Sequence, residues 1–385
     1  MLSIKNRSAI FLFICLFLAY GAHIVHEYEP YTYAHADPGW MVSTVMSIVE
    51  DHDLDLRNQL MNDPNQAADQ TSLGQNDEWY PLHEILMPIL TVPFYVVFGI
   101  NGCLIFNMLV CILFMISLFH LCARHVDYPI AFLATVLTAF SSTVIHYTYS
   151  YSLDVFSAFL FILAYWCAVQ KRFFRTGLVW GLAVYSRFPL IVTLVGLICF
   201  LFLEALASRD PEVETVPHAR YAHRIRPFLA TVAGALPVLF SFLITNWLMF
   251  GSPFTTSYDR WRHTLNGQTV TSSQMGAFTC ALIERLPITL LDPKTGLLIG
   301  APLLLIAVAF GTRPFWKRAR NEMILASLTA AALVILFTKY CNSFPGSVGN
   351  RYLIPVIALS SVPLAMALQN CFNGRAIRPD LSAKE

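Results

Sequence analysis

Four ionisable residues at the ends of apolar runs are best suited to chemistry: Asp37, Asp154, Arg187 and Arg351. A carboxylate can take the proton of an attacking hydroxyl, and guanidinium groups can hold a phosphate leaving group through charge-assisted hydrogen bonds. Asp37 lies in His35-Ala36-Asp37-Pro38-Gly39-Trp40, and Asp154 closes the stretch Tyr147 to Asp154. Arg187 precedes Phe188-Pro189, and Arg351 lies in Gly349-Asn350-Arg351-Tyr352-Leu353. Each also has a plain structural use. Asp37 before Pro-Gly suits a turn, and Asp154 suits a helix N-cap. The arginines can snorkel to headgroups. The aromatic run 147–151 suits a membrane-interface belt, and His83 can be a satisfied polar residue. As a set, two carboxylates and two arginines on one membrane face suit a lipid-phosphate substrate.

The elements that must position them are apolar. Of 385 residues, 56% are hydrophobic and 13% charged, against roughly 25% charged in soluble domains. The mean hydropathy is +0.57. A soluble chain would need a charged shell that this one lacks, so lipid is the expected solvent. Crossing the hydrocarbon core takes about 20 apolar residues. Apolar runs fall near 9–25, 83–100, 102–121, 129–147, 154–170, 176–206, 228–249, 296–311, 322–338 and 352–368. The first follows Lys5 and Arg7 as a signal peptide would, but with so many further spans it is read as an uncleaved anchor.

Lys and Arg concentrate on cytoplasmic loops. Placing every basic cluster inside requires that 83–100, with Pro88 and Pro93, be re-entrant or interfacial. It also requires that 176–206 cross twice, broken at Arg187-Phe188-Pro189, since proline disfavours helix at the residue before it. The expected fold is an all-α integral membrane protein of about ten transmembrane helices. Residues 1–370 form one multi-pass domain, with extracytoplasmic loops 26–101 and 250–295 and a cytoplasmic linker at 206–227. Residues 371–385 form a short cytoplasmic tail. From His26 to Glu84 there are twelve acidic residues and one basic residue, Arg57. Acidic residues contribute little to orientation, so the excess asks for another cause.

Net charge is +1, which gives no global field pointing to nucleic acid. No P-loop, GxGxxG, GxSxG or HExxH occurs, and no CxxC or His/Cys cluster suggests zinc. Most of the nine cysteines lie in apolar runs; in the expected topology Cys280 and Cys341 fall on the extracytoplasmic side and can pair.

The order of the motifs resembles the GT-C superfamily of membrane glycosyltransferases. It is most similar to the bacterial branch related to dolichyl-phosphate-mannose mannosyltransferases and lipid A aminoarabinose transferase. The resemblance covers about 30–368. It is carried by Ala36-Asp37-Pro38 with Glu50 to Leu56, Tyr80-Pro81-Leu82-His83, Gly181 to Pro189, Phe250 to Phe254, Asp292 to Leu298, and Gly349 to Leu353. It implies an inverting transferase of the inner or plasma membrane. A sugar would move from a polyprenyl phosphate to a lipid, glycan or protein acceptor at the extracytoplasmic face. By the same resemblance Asp37 is the catalytic base, Asp154 a second catalytic acid position, and Arg187 and Arg351 contacts to the donor phosphate. Tyr80, His83 and Tyr352 line the substrate. Asp37 is followed by Pro38 and Gly39, where many members have two adjacent acids or Asp-Gly. No soluble outer domain is expected after the last run. Some members use a divalent metal, for which the sequence offers no clear ligand set. Two other readings stay open: a flippase or transporter of a lipid-linked substrate, and a non-catalytic scaffold derived from a transferase.

Overall fold

The computed structural model describes residues 37–60, 70–147, 151–207, 217–265, 268–341 and 349–372, with Phe11, Phe13, Ile14, Leu18 and Gly21 of the first run. The long helices are α1 (Asp37–Met46), α2 (Leu86–Phe98), α3 (Asn101–Ala123), α4 (Tyr128–Phe140), α5 (Leu153–Val169), α6 (Phe173–Ser186), α7 (Leu194–Ala207), α8 (Pro217–Phe250), α9 (Leu282–Leu291), α10 (Arg320–Thr338), α11 (Ile354–Leu359) and α12 (Ser361–Phe372). Among the described residues, four segments are long and apolar enough to cross a membrane: Asn101–Ala123, Phe188–Ala207, Arg224–Phe250 and Arg320–Thr338. A fifth is Arg351–Leu359 with Ser361–Phe372, bent by 43° at the break. The expected ten spans draw on shorter apolar helices as well, among them α4 and α5.

The run expected to be interfacial is one helix. Its 13 residues extend about 20 Å at about 1.5 Å per residue, short of the roughly 30 Å hydrocarbon core. The run expected to break at Arg187 does so. α6 ends at Ser186, Arg187 is extended at φ −156°, and Phe188–Thr193 forms a 3₁₀ turn that leads into α7. Trp180 Nε1 donates to Thr193 Oγ1 at 2.9 Å and clasps the two sides of the break.

α6 packs closely on α8 because each presents a glycine to the other. A Cβ on Gly177 would run into the Thr231 carbonyl, and one on Gly234 into the Phe174 carbonyl. Small residues of this kind let helix backbones approach where lipid supplies no hydrophobic drive between helices.

At one end of the bundle Glu322 is buried and accepts from Arg124 at 3.1 Å, and lies 3.0 Å from His125 Nε2. Lys171 pairs with Glu204 at 2.7 Å nearby in the chain. The Tyr165 hydroxyl donates to the Glu322 carbonyl at 2.8 Å, so this cluster meets the C-terminal part of α5. Asp154 stands in the first turn of that same helix. The two ends of α5 therefore hold two separate charged groups.

The all-α expectation needs one correction. A four-stranded antiparallel sheet, in the order β2-β1-β3-β4, joins two loops: β1 (Thr71–Leu73), β2 (Trp79–Pro81), β3 (Trp261–Leu265) and β4 (Gln268–Ser272). Ser72 pairs with Trp261 across the two loops. Arg262 lies over the Trp79 ring at 3.8 Å and donates to Thr71 Oγ1 at 3.1 Å. The strands are three to five residues long, too short to stand out against the apolar runs.

Candidate active site

Asp154, Arg187 and Arg351 converge. Arg187 Nη1 donates to Asp154 Oδ1, and Arg351 Nε lies 3.7 Å from Asp154 Oδ2. Tyr352 underlies both cations, with its ring centroid 4.3 Å from Arg187 Cζ and 5.3 Å from Arg351 Cζ. Phe337 stacks on Tyr352 at 4.9 Å. Asp154 and Arg187 are buried. Two guanidinium groups thus share one carboxylate, with an aromatic floor that fixes their planes.

Three structural alternatives are corrected here. The N-cap of α5 is Ser152, whose hydroxyl accepts from the Asp154 N–H at 3.2 Å, so Asp154 is not the cap. Arg187 is held inward by Asp154 and does not reach out to headgroups. In the aromatic run, Tyr151 is fully buried, not an interface residue, and donates to Thr91 Oγ1 at 2.6 Å.

Local chain geometry delivers these side chains. The helix break turns Arg187 out of α6. Arg351 is placed by the Asp292-Pro293-Lys294-Thr295 turn. Asp292 Oδ1 accepts the N–H groups of Lys294 and Thr295 at 2.9 and 2.7 Å, and the Thr295 hydroxyl at 2.9 Å. The Lys294 carbonyl then accepts the Gly349 N–H at 2.8 Å. Gly349 has φ +66°, and a Cβ there would strike Thr143. Only glycine suits both the left-handed backbone and the close approach.

The sequence reading passed over Glu84. It is buried beside Arg187; Oε1 accepts the Phe188 N–H at 2.9 Å, and Oε2 accepts the Tyr258 hydroxyl at 3.5 Å. Burial pushes its carboxyl up to about 7, against the opposing pull of the Phe188 N–H and Arg187. Its signal in the sequence was an acid abutting an apolar run. His83 Nδ1 lies 3.4 Å from the same Tyr258 hydroxyl, and Ser257 Oγ donates to the Leu82 carbonyl at 2.7 Å, docking that turn. Burial, then the Glu84 charge, raises the Tyr258 hydroxyl well above its ordinary value, so it stays a donor. Glu84 and His83 line one small cavity with Tyr185, Phe242 and Asn246.

Tyr80 stands apart from this group. It packs edge-on against Phe250 at 5.9 Å and lines a different cavity. Asp37 opens α1, and its side chain lies outside the described residues. Among the described residues no group of three or more His, Cys, Asp or Glu is placed to hold a metal.

No protein-family model matches the sequence, and no curated protein sequence does. Solved structures do match. ArnT from Cupriavidus metallidurans bound to undecaprenyl phosphate aligns over 92% of this chain and 60% of its own, at 12% identity and a TM-score of 0.54. The apo ArnT structure aligns over 92% of this chain and 59% of its own, at 13% identity and a TM-score of 0.49. The apo oligosaccharyltransferase of Archaeoglobus fulgidus aligns over 96% and 51%, at 14% identity and 0.49. The chain spans about three-fifths of the ArnT length. The alignment with ArnT bound to undecaprenyl phosphate shows that this chain shares the fold of that structure.

Proposed function

We propose that the chain is an inverting membrane glycosyltransferase that moves a sugar from a polyprenyl phosphate to an acceptor at the extracytoplasmic face. The observation that carries this reading is the Arg187–Asp154–Arg351 cluster over Tyr352, in which Asp154 and Arg187 are buried. Its formal charges are two positive and one negative, which suits a phosphate as the second anion. The two arginines hold the donor phosphate and take up the charge that grows on it as the glycosidic bond breaks. The acceptor oxygen forms the new bond to the anomeric carbon. The bonding pair leaves with polyprenyl phosphate, and the acceptor proton passes to Asp37. Asp154 keeps both guanidinium groups in register. Tyr352 and His83 line the donor side, and Tyr80 the acceptor side.

The topology belongs to the same proposal. Residues 1–370 form one multi-pass inner- or plasma-membrane domain of about ten spans with a short cytoplasmic tail. The Cys280–Cys341 disulfide supports the outward placement of loops 250–295 and 339–351, because such bonds persist in oxidising compartments. The buried Glu322 and Glu204 pairs with Arg124, His125 and Lys171 agree with a basic cytoplasmic end.

The deciding experiment is transfer of labelled sugar from a polyprenyl phosphate by the purified chain in lipid, beside Asp37→Asn and Arg187→Gln. Wild-type transfer that both variants lose supports the reading. Equal turnover by Asp37→Asn removes Asp37 as the base, and absence of transfer with every lipid-linked donor tried removes the activity.

A further inference from the structure

A second cavity, of about 490 Å³, lies on the other side of Met249, which lines both it and the cavity holding Glu84. Its lining includes His52, Asp53, Tyr80, Ile89 and Leu248. The walls divide by polarity. Ile89 on α2 and Leu248 on α8 are 44% and 63% exposed, so they belong at once to the cavity and to apolar helix surface. A hydrocarbon chain arriving from lipid meets them first. The lining also carries Tyr80, His52 and the Asp53 carboxylate.

That polar part of the lining is held by hydrogen bonds from neutral donors. His52 closes the turn before it in a left-handed conformation, its N–H bonded to the Ser47 carbonyl. Asp53 Oδ1 accepts from Ser47 Oγ at 2.8 Å and from the Asp55 N–H at 3.0 Å. Both partners are neutral, so they orient the carboxylate without cancelling its charge. Burial, then Glu78, Asp55 and Asp53, raise the Tyr80 hydroxyl above its ordinary range, so it remains a neutral donor. Arg57, the single base between His26 and Glu84, donates to the Asp77 carbonyl and lies 5.7 Å over Trp79. The arginine cluster and this cavity therefore differ in sign: Arg187 and Arg351 share one carboxylate in the first, and Asp53 is the charged carboxylate lining the second. A phosphate is favoured beside the first and repelled from the second.

Resting on the transferase reading above, we infer that the Tyr80–Asp53 cavity receives the acceptor, and that the acceptor is an amphiphile with an uncharged, hydroxyl-bearing headgroup. Ile89 and Leu248 take its chain. Tyr80 offers an aromatic surface to its ring, and Asp53 and His52 take its hydroxyls. The acid excess of the first outer loop acquires a cause: it keeps the anionic donor headgroup out of the acceptor site.

The test uses the full chain in phosphatidylcholine nanodiscs and a fluorescent alkyl glucoside. Displacement is measured with three competitors of equal chain length, carrying a glucoside, a phosphate or a trimethylammonium headgroup. Binding of polyprenyl phosphate is measured in parallel. The glucoside is expected to displace the probe at least about tenfold better than either charged competitor. Leu248→Trp, which fills the cavity from an exposed position, is expected to weaken the probe by a similar factor while polyprenyl phosphate binds unchanged. Asp53→Asn is expected to narrow the gap between glucoside and phosphate. Equal or better displacement by either charged competitor overturns the inference, as does probe binding that Leu248→Trp leaves intact. If polyprenyl phosphate fails to bind while the glucoside behaves as expected, the donor reading falls and the cavity stands. If the glucoside fails while polyprenyl phosphate binds and sugar is transferred, the cavity alone falls.

Discussion

The N–H of Phe188 donates to Oε1 of Glu84 at 2.9 Å. One backbone hydrogen bond thus ties the residue after Arg187 to the chain just ahead of α2. Through it the helix break that presents Arg187 is fixed to the loop that leads into α2.

Glu84 makes stability depend on pH in a defined direction. Its carboxyl titrates at about 7 in the folded chain against 4.5 as the ordinary value. The fold therefore binds the proton more tightly than the unfolded chain does. Its contribution is full below about pH 4.5, declines as pH rises towards 7, and is gone above that. The span is at most about 3 kcal/mol. Glu84→Gln should flatten this part of the profile of thermal midpoint against pH. An unaltered slope would show that the titration lies elsewhere.

Asp154 contacts both arginines. Asp154→Ala leaves two guanidinium groups facing each other in a buried site, and should cost about 3–5 kcal/mol. Thermal unfolding in nanodiscs measures this. Arg187→Gln in the same background should recover part of the loss, because it removes the repulsion that the first change exposes.

Gly177→Leu should lower the melting temperature and sugar transfer together. The Thr231 carbonyl occupies the space a side chain would need, so α6 must move off α8 and carry Arg187 with it. Gly276→Ala, where a Cβ meets nothing within 4 Å, is the control and should change neither.

Membrane-impermeant maleimide should label Cys280 and Cys341 in whole cells only after reduction, since the pair is disulfide-bonded. Cys371, exposed at the end of α12, should label only once the membrane is opened. Labelling of Cys371 in intact cells would reverse the proposed orientation. Replacing the pair with serine should cost roughly 2–4 kcal/mol.

Much of this was legible because membrane insertion writes itself in long runs. The helical fold, the break before Pro189, and the grouping of Asp154 with Arg187 and Arg351 all follow from run length, proline placement and charge at run ends. Glu84 was not legible, because an acid beside an apolar run looks the same whether it faces water or an arginine. The sheet was hidden for another reason: its strands are short, and Ser72 meets Trp261 only through tertiary contact. The Asp292 motif stood out by its residues, but its use in seating Gly349 depends on a hydrogen bond between distant segments.

The sheet also sets a rule for recombination. β1 and β2 come from one loop and β3 and β4 from another, and Arg262 of the second rests on Trp79 of the first. A chimera that imports either loop alone from a distant homologue would inherit half a sheet and an unmatched cation–aromatic contact. The two loops are a single unit of exchange, and the sheet survives transplantation only when they move as a pair.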